Sequence, residues 1–397
     1  MSTHGWFTGS FDKLIGSGAV IIARSTLREN EMKLFRFLTR VLLVLFGLIL
    51  TLAVGGYLYH EFAPIFGGQP DQASLKRFEQ SEHYVDGAFR NTEPTLLNTR
   101  SPDRETSILE WFLIPEGKNP DSPLPSEQLK QETLDNDSFV WLGHSTIVMK
   151  TDDRVIVTDP VFNRASPVPF IANAFEMEHE TRISDLPYID AVLISHDHYD
   201  HLDYRGIKDL AHKVSHFFVP LGIKAHLQRW GIPDDKITEM DWFESASYQG
   251  VTFVLTPARH FSGRRFTNQS STLWGAWVIQ SSSMNVYFSG DGGYSEDLLK
   301  IGEQYGPFDI TFVENGAYNL DWAQIHMLPE EAVQAAIDLN SKLLFPIHWG
   351  KFDLALHPWN EPIIRLTEEA KKRNVEVATP LIGEVFSLES YPKRQWW

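Results

Sequence analysis

The stretch from 190 to 203, DAVLISHDHYDHLD, constrains the fold more than any other part of the chain. The apolar or small residues Ala191 to Ile194 run directly into three histidines and two aspartates within 196–201, in a chain that spends only 15 histidines on 397 residues. A short apolar run of this kind reads as a buried strand, and the residues after it form the loop leaving the strand's C-terminal end. Loops at that end of a rigid sheet are where open α/β folds build their sites. His196 and His198, two apart, can converge on one ion, while Asp200 and His201 can turn towards a second. The spacing HxHxDH therefore predicts two neighbouring metals at one strand end.

Cysteine is absent, so disulfides, thiolate metal sites and cysteine nucleophiles are excluded, and any ion must be held by nitrogen and oxygen. The formal charge is −17 with no long Lys/Arg run, which argues against a nucleic-acid partner because phosphate backbones are bound by clustered cations. With 43% hydrophobic residues the chain can bury a full core.

The N-terminal part is of a different kind. VLLVLFGLILTLAVGGYLY, 41–59, carries no charge over a length that as a helix spans roughly 28 Å, close to the hydrocarbon thickness of a bilayer. Lys33, Arg36 and Arg40 precede it and Glu61 follows, so the positive-inside rule predicts a cytoplasmic segment over 1–40, a transmembrane anchor or signal-anchor over 41–59, and the remainder on the extracytoplasmic, periplasmic side. Translation from Met1 or from Met32 gives the same arrangement, and cleavage after Ala53 to Gly56 is the alternative to an uncleaved anchor. Residues 60–135, rich in Pro, Asn, Asp and Ser, read as an irregular arm or collar.

From 136 to 397 strand patterns dominate, near 139–142, 145–150, 154–158, 191–195, 217–220, 251–256, 273–279, 285–289, 310–313 and 342–347, with helices at 329–340 and 361–373. This predicts a layered α/β body, two sheets covered by helices. Three further candidate ligands each close an apolar run: His260 after VTFVLTPAR, Asp291 after NVYFSG and His348 after KLLFPI. Gly290, Gly292 and Gly293 let the backbone around Asp291 approach an ion closely. Trp141, Trp274, Trp277 and Trp349 are expected in the core.

HxHxDH followed by His260, Asp291 and His348 resembles the metallo-β-lactamase superfamily, over about 139–390. WLGHST (141–146), TDPVF (158–162), PARHFSGR (257–264), LWGAW (273–277), GPFD (306–309), GAY (316–318), HMLPEEAV (326–333) and IHWG (347–350) are similar to the N-acyl-phosphatidylethanolamine phospholipase D branch. The resemblance implies a four-layer αββα sandwich with two Zn²⁺ at one edge. It implies His196, His198 and His260 on the first ion, Asp200, His201 and His348 on the second, and Asp291 bridging them. His326 matches a histidine that in the family lies beside the substrate phosphate. The chain departs from the pattern in GDGGY (290–294), where Gly292 replaces threonine, and in VEN (313–315), which replaces a more apolar segment.

A hydroxide shared by two zincs would attack phosphorus in line, since a metal brings the pKa of bound water from 15.7 towards about 7. Asp200 would orient it, and His326 would hydrogen-bond the phosphate or protonate the leaving oxygen. His144 is expected either as a hydrogen-bond donor to the site or as a fixture of the WLGH turn. Arg259, with Arg264 and Arg265 beside it, is a candidate for an anionic head group.

The leading expectation is a membrane-anchored zinc phosphodiesterase of the phospholipase D type acting on membrane lipid. A lactonase or phosphorylated-lactone hydrolase on the same fold is the alternative, followed by a non-catalytic metal-binding envelope protein. A donor set of this kind takes iron or manganese as well as zinc.

Overall fold

The computed structural model describes residues 11–100, 116–265 and 267–397, the side chains of 11–26 excepted. The first ten residues of the expected cytoplasmic segment and residues 101–115 of the arm lie outside the described residues. Two compact units meet in sequence between Ala63 and Pro64. The first contains α1, Phe11–Phe62. Its part from Leu27 to Phe62 is long and apolar enough to cross a membrane, with a mean hydropathy of 2.5 in its most apolar window. Side chains such as Leu42, Phe46, Ile49 and Leu52 stand exposed along it.

The second unit starts with α2 (Gln72–Phe78), capped by Asp71, whose carboxylate accepts from the Ser74 amide at 2.8 Å. A small hairpin follows, β1 (Tyr84–Val85) and β2 (Ala88–Phe89). Irregular chain dominates 64–100 and 116–137. Even so, Phe78 and Phe89 are fully buried, packed edge to face 5.3 Å apart inside the main core.

The body runs β3 (Ser138–Trp141), β4 (Ile147–Thr151), β5 (Arg154–Thr158), β6 (Ile189–Leu193), α3 (Tyr204–Leu210), β7 (Val214–Pro220), α4 (Ile223–Arg229), β8 (Ile237–Met240), β9 (Ser245–Tyr248), β10 (Val251–Thr256), β11 (Ala276–Gln280), β12 (Asn285–Phe288), α5 (Asp297–Tyr305), β13 (Ile310–Glu314), α6 (Pro329–Asp338), β14 (Leu344–Ile347), α7 (Glu361–Arg373) and β15 (Val385–Ser387). One sheet has the order β15-β3-β4-β5-β6-β7-β8 and the other β14-β13-β12-β11-β10-β9.

Side-chain alternation assigns the layers. Phe139, Trp141, Ile156, Ala191 and Leu193 of the first sheet share one core with Phe253, Leu255, Trp277, Phe288 and Phe312 of the second. Their neighbours Val140, Val155, Val157 and Val192 face the other way, onto Ile207 and Leu210 of α3 and Ile223 and Leu227 of α4. In the second sheet Val254, Val278 and Val313 face Leu298 and Ile301 of α5, Ala332 and Val333 of α6 and Leu366 of α7. A period of two on each strand thus gives helix, sheet, sheet, helix. The predicted four-layer sandwich is the observed one. Trp141, Trp274, Trp277 and Trp349 are buried, as expected.

Two differences concern strand limits. LWGAWVI is a strand only from Ala276, because Trp274 leaves the sheet to donate from its indole to Ala258 O at 2.8 Å. AVLIS ends as a strand at Leu193, and Ile194 and Ser195 already belong to the site loop. The strands β8 and β9 had no apolar signature, since ITEM and SASY are half-exposed edge strands.

Parallel pairing of β5, β6, β7 and β8, and of β12, β13 and β14, sends their C-terminal ends the same way in each sheet. The two sets meet where Gly275 N donates to Ser195 O at 3.0 Å and the Trp277 indole donates to Ile194 O at 3.0 Å.

A buried cation lies behind that edge. The Lys351 ammonium donates to Leu142 O at 3.0 Å and Val161 O at 2.8 Å. Burial pushes its pKa down from 10.5 to about 8, against the opposing pull of Asp203 and Glu180. The unfolded chain therefore binds more protons between these values, and this group makes stability rise with pH from about 8 to 10.5. The full effect is on the order of 3 kcal/mol. Lys351→Met is expected to flatten the slope of unfolding free energy against pH in that window, measured by denaturant titration; an unaltered slope would contradict the assignment.

Candidate metal centre

All seven sequence-predicted ligands converge. On one side His196 Nε2 lies 2.9 Å from His198 Nδ1, and His260 Nε2 lies 3.3 Å from the same atom. On the other, Asp200 Oδ2 lies 3.5 Å from His201 Nε2 and 3.4 Å from His348 Nε2. Asp291 sits between: its Oδ2 is 3.1 Å from His201 Nε2, 2.9 Å from His348 Nε2, 3.8 Å from His196 Nε2 and 3.9 Å from His260 Nε2. The sets His196/His198/His260, His196/His201/Asp291 and His144/Asp200/His201/His348 each bring one ligand atom per residue within 4.8 Å of one another.

The hydrogen bonds behind the rings decide which nitrogens face inwards. His260 Nδ1 lies 2.9 Å from Ile325 O, which can only accept, so the proton is on Nδ1 and the Nε2 lone pair points to the centre. His201 Nδ1 lies 2.8 Å from the Asp159 carboxylate and His196 Nδ1 lies 2.9 Å from Ser195 Oγ. Among the described residues, buried His201 Nε2, His348 Nε2 and Asp291 Oδ1 find no hydrogen-bond partner. Buried polar atoms without partners are costly, and a nitrogen and oxygen donor set of this number suits divalent ions of the zinc, iron and manganese group. The residues fit a metal.

Charge supports the same conclusion. Burial disfavours the charged form of every group here, yet Asp200 and Asp291 stay well below the ordinary carboxylate range because His201 and His348 lie against them. The same carboxylates outweigh burial at His348 and raise it to about 10. Two negative charges thus call for positive charge in the centre, which protons supply in the bare protein and a cation would displace.

Two residues of the centre have left-handed backbone. His144 and His348 have φ of +54° and +67°, a left-handed conformation unusual for side chains other than glycine. They clasp each other, His144 N donating to Trp349 O and His348 N to His144 O, both at 3.0 Å, while the Trp141 indole donates to His144 O at 2.8 Å. Gly290 and Gly293 allow a close approach to neighbouring chain segments: a Cβ on Gly290 would stand 2.5 Å from Ser195 Cβ, and one on Gly293 would stand 2.1 Å from Gln324 O. Gly292 has more room, with the Arg259 amide nitrogen at 3.2 Å.

The other predicted residues fall as follows. His144 is buried, and its Nε2 is 3.0 Å from Asp200 Oδ2; burial, and the charge of His348, depress it to about 3. It supports the ligand Asp200. His326 is near the centre, its ring 5.1 Å from that of His260 and 5.2 Å from that of His348. The three arginines are not grouped on one surface. Arg259 is bound to residues 93–95 and Tyr294 O. Arg264 is buried, lying 4.2 Å over Tyr199 and 5.2 Å over Trp230, and it donates to Asp197 O and Leu202 O of the metal loop and to Ile65 O. Arg265 lies 6.0 Å over Phe66.

Three supporting residues were missed. Asp159, the Asp of TDPVF, is fully buried and binds His201 Nδ1, Ser195 N and Ser195 Oγ. Its place directly after β5 was the available signal. Glu314 is fully buried in VEN, with Oε2 2.8 Å from His326 Nδ1 and Oε1 accepting from Met327 N at 2.5 Å. Asn91 pairs with the main chain of His260, donating to its carbonyl at 2.8 Å and accepting from its amide at 3.1 Å. Nothing in the sequence links residues 169 positions apart.

Comparison with known proteins agrees with this geometry. A model of the beta-lactamase superfamily domain matches residues 154–349. A protein of Mycobacterium tuberculosis is 41% identical over 324 residues, 79% of this chain and 87% of that protein. The N-acyl-phosphatidylethanolamine-hydrolyzing phospholipase D 1 of Caenorhabditis elegans is 32% identical over 287 residues, 67% of this chain and 81% of that protein. Among solved structures, a metallo hydrolase from Ignicoccus hospitalis matches with a TM-score of 0.46 and 21% identity, covering 62% of this chain and 96% of that one. A layered sandwich, a converging histidine and aspartate cluster at its edge, and sequence identity across most of both chains lead to one family: the chain belongs to the metallo-β-lactamase-fold hydrolases, with the N-acyl-phosphatidylethanolamine-hydrolyzing phospholipases D as its relatives.

Proposed function

We propose that the chain is a dinuclear zinc phosphodiesterase of the phospholipase D type, held at a membrane by its N-terminal helix with the body on the extracytoplasmic side, and acting on glycerophospholipids such as N-acyl-phosphatidylethanolamine. The observation that carries this reading is the shared carboxylate. Asp291 Oδ2 lies 3.8 and 3.9 Å from the Nε2 atoms of His196 and His260 and 3.1 and 2.9 Å from those of His201 and His348, a position that supports its being shared between two ions. When bound, two such ions supply Lewis-acid activation of water and neutralise the negative charge of a phosphodiester.

The chain's own residues do the rest. Asp200, held by His144, orients the water, and the depth of the centre excludes bulk solvent. Glu314 accepts the His326 Nδ1 proton, which leaves His326 Nε2 to face the substrate phosphate or the departing oxygen. A carboxylate behind a histidine fixes both tautomer and ring orientation, as in hydrolase triads. Glu314→Gln preserves size and removes the charge that holds this tautomer; it is expected to lower kcat by about 10²-fold with KM little changed. Equal kcat in variant and parent, measured by steady-state kinetics, would remove Glu314 from the mechanism.

The reading is tested by mass-spectrometric detection of phosphatidic acid from vesicles containing N-acyl-phosphatidylethanolamine, with zinc-loaded protein beside a His348→Ala control. Release by the parent alone supports it. No release from a verified zinc-loaded preparation would overturn it in favour of lactone or phosphorylated-lactone hydrolysis.

A further inference from the structure

A cleft of about 840 Å³ is lined by His260, one of the candidate ligands, by Phe261 beside it and by the run from Ala88 to Leu97. This run is fastened to the loops that carry or support the candidate ligands. Phe89 N donates to Ser270 O at 2.8 Å, and Asn91 pairs with both main-chain groups of His260. Thr92 bonds Asp297, Leu96 N donates to Gln324 Oε1 at 2.7 Å, and Thr99 N donates to Asp321 O at 2.7 Å. Arg259 completes the attachment: its donors reach Thr95 Oγ1 at 3.2 Å, Tyr294 O at 3.2 Å and Pro94 O at 3.3 Å, and Glu93 lies 3.6 Å from its Nε. Residues 88–99 are therefore a strap across the site, built in by main-chain and side-chain bonds to several separate loops.

The charges on this strap are unequal. Two ionisable side chains from it line the cleft, Arg90 and Glu93. Glu93 is compensated by Arg259. Arg90 is exposed and makes no ion pair among the described residues. In a protein of net charge −17 an uncompensated cation at the mouth of a site sets the local field that an arriving ligand meets.

We propose that the strap 88–99 is the selecting wall of the substrate cleft and that Arg90 makes it discriminate by the charge of the departing group: phosphodiesters whose alcohol is uncharged or anionic are admitted, and those whose alcohol carries a cation are rejected. The proposal rests on the phosphodiesterase reading of the same site and assigns its selectivity to a named residue. It also moves head-group selection from Arg259, whose donors hold the strap, to Arg90.

The test compares two water-soluble phosphodiesters that differ in this respect, glycerophosphoglycerol and glycerophosphocholine, by calorimetric binding to the full zinc-loaded chain in nanodiscs. The parent is expected to bind the glycerol diester about tenfold more tightly. Arg90→Glu is expected to bring the ratio of the two Kd values to one or below, and Arg90→Lys to restore the preference. Equal affinities in the parent, or a preference that Arg90→Glu leaves in place, would overturn the proposal. Turnover of bis(p-nitrophenyl) phosphate by the parent is measured alongside. Its absence would sink the phosphodiesterase reading, while the binding ratios would still decide the role of the strap.

Discussion

Asp291→Ala lowers phosphodiester kcat/KM by about 10³-fold or more, equivalent to roughly 4 kcal/mol of transition-state stabilisation, and reduces bound metal below two ions per chain. The size follows from position. Asp291 Oδ2 approaches four histidine nitrogens, so in the proposed centre its loss would remove the shared ligand and its negative charge. The fold is expected to persist. Asp291 Oδ1 has no hydrogen-bond partner among the described residues, and Gly290 and Gly293 maintain the close approach of the loop independently of the carboxylate. Activity and metal content measured on the same preparation, with circular dichroism to verify folding, check the prediction. A variant that keeps two ions and full turnover would contradict it.

Arg264→Ala has the largest expected effect on stability, a loss of about 3–5 kcal/mol. The buried guanidinium donates to Asp197 O at 2.7 Å, Leu202 O at 2.8 Å and twice to Ile65 O, at 3.0 and 2.9 Å, and it is packed between the Tyr199 and Trp230 rings. Truncation strands the buried Asp197 and Leu202 carbonyls and the half-buried Ile65 carbonyl, and opens a cavity between the rings. Because Asp197 lies within HxHxDH and Leu202 directly follows it, metal affinity is expected to fall as well. Thermal melting of parent and variant gives the comparison, with a drop of about 4–7 °C expected. Melting temperatures within about one degree of each other, the effect of less than about 1 kcal/mol, would show that the carbonyls find other partners.

What was legible in the sequence follows from what is local. Each candidate ligand closes an apolar run, and an apolar run that stops at a histidine or aspartate can be read without knowing the partner strand: β6 leads to His196, β10 to His260, β12 to Asp291 and β14 to His348. The layers were legible because alternation along β3 and β10 requires two covered faces. What escaped depends on pairs far apart in the chain. Asn91 meets His260 and Arg259 meets Thr95 only once the strap lies across the site. Composition made 60–135 look like an irregular arm; among its described residues Phe78 and Phe89 enter the core and residues 88–97 line the cleft. Glu314 was visible as a departure from the apolar pattern before GAY, and its meaning appeared only with His326 Nδ1 at 2.8 Å. Arginines 259, 264 and 265 looked like one basic cluster because they are neighbours in sequence; an extended loop turns them to three separate environments.

The proposed two-metal hydrolytic centre around Asp291 is tested by titrating the metal-free protein with zinc while following phosphodiester turnover. Activity is expected to rise until two equivalents per chain are bound and then to level off. Activity that saturates at one equivalent, or that does not depend on added metal, would contradict it.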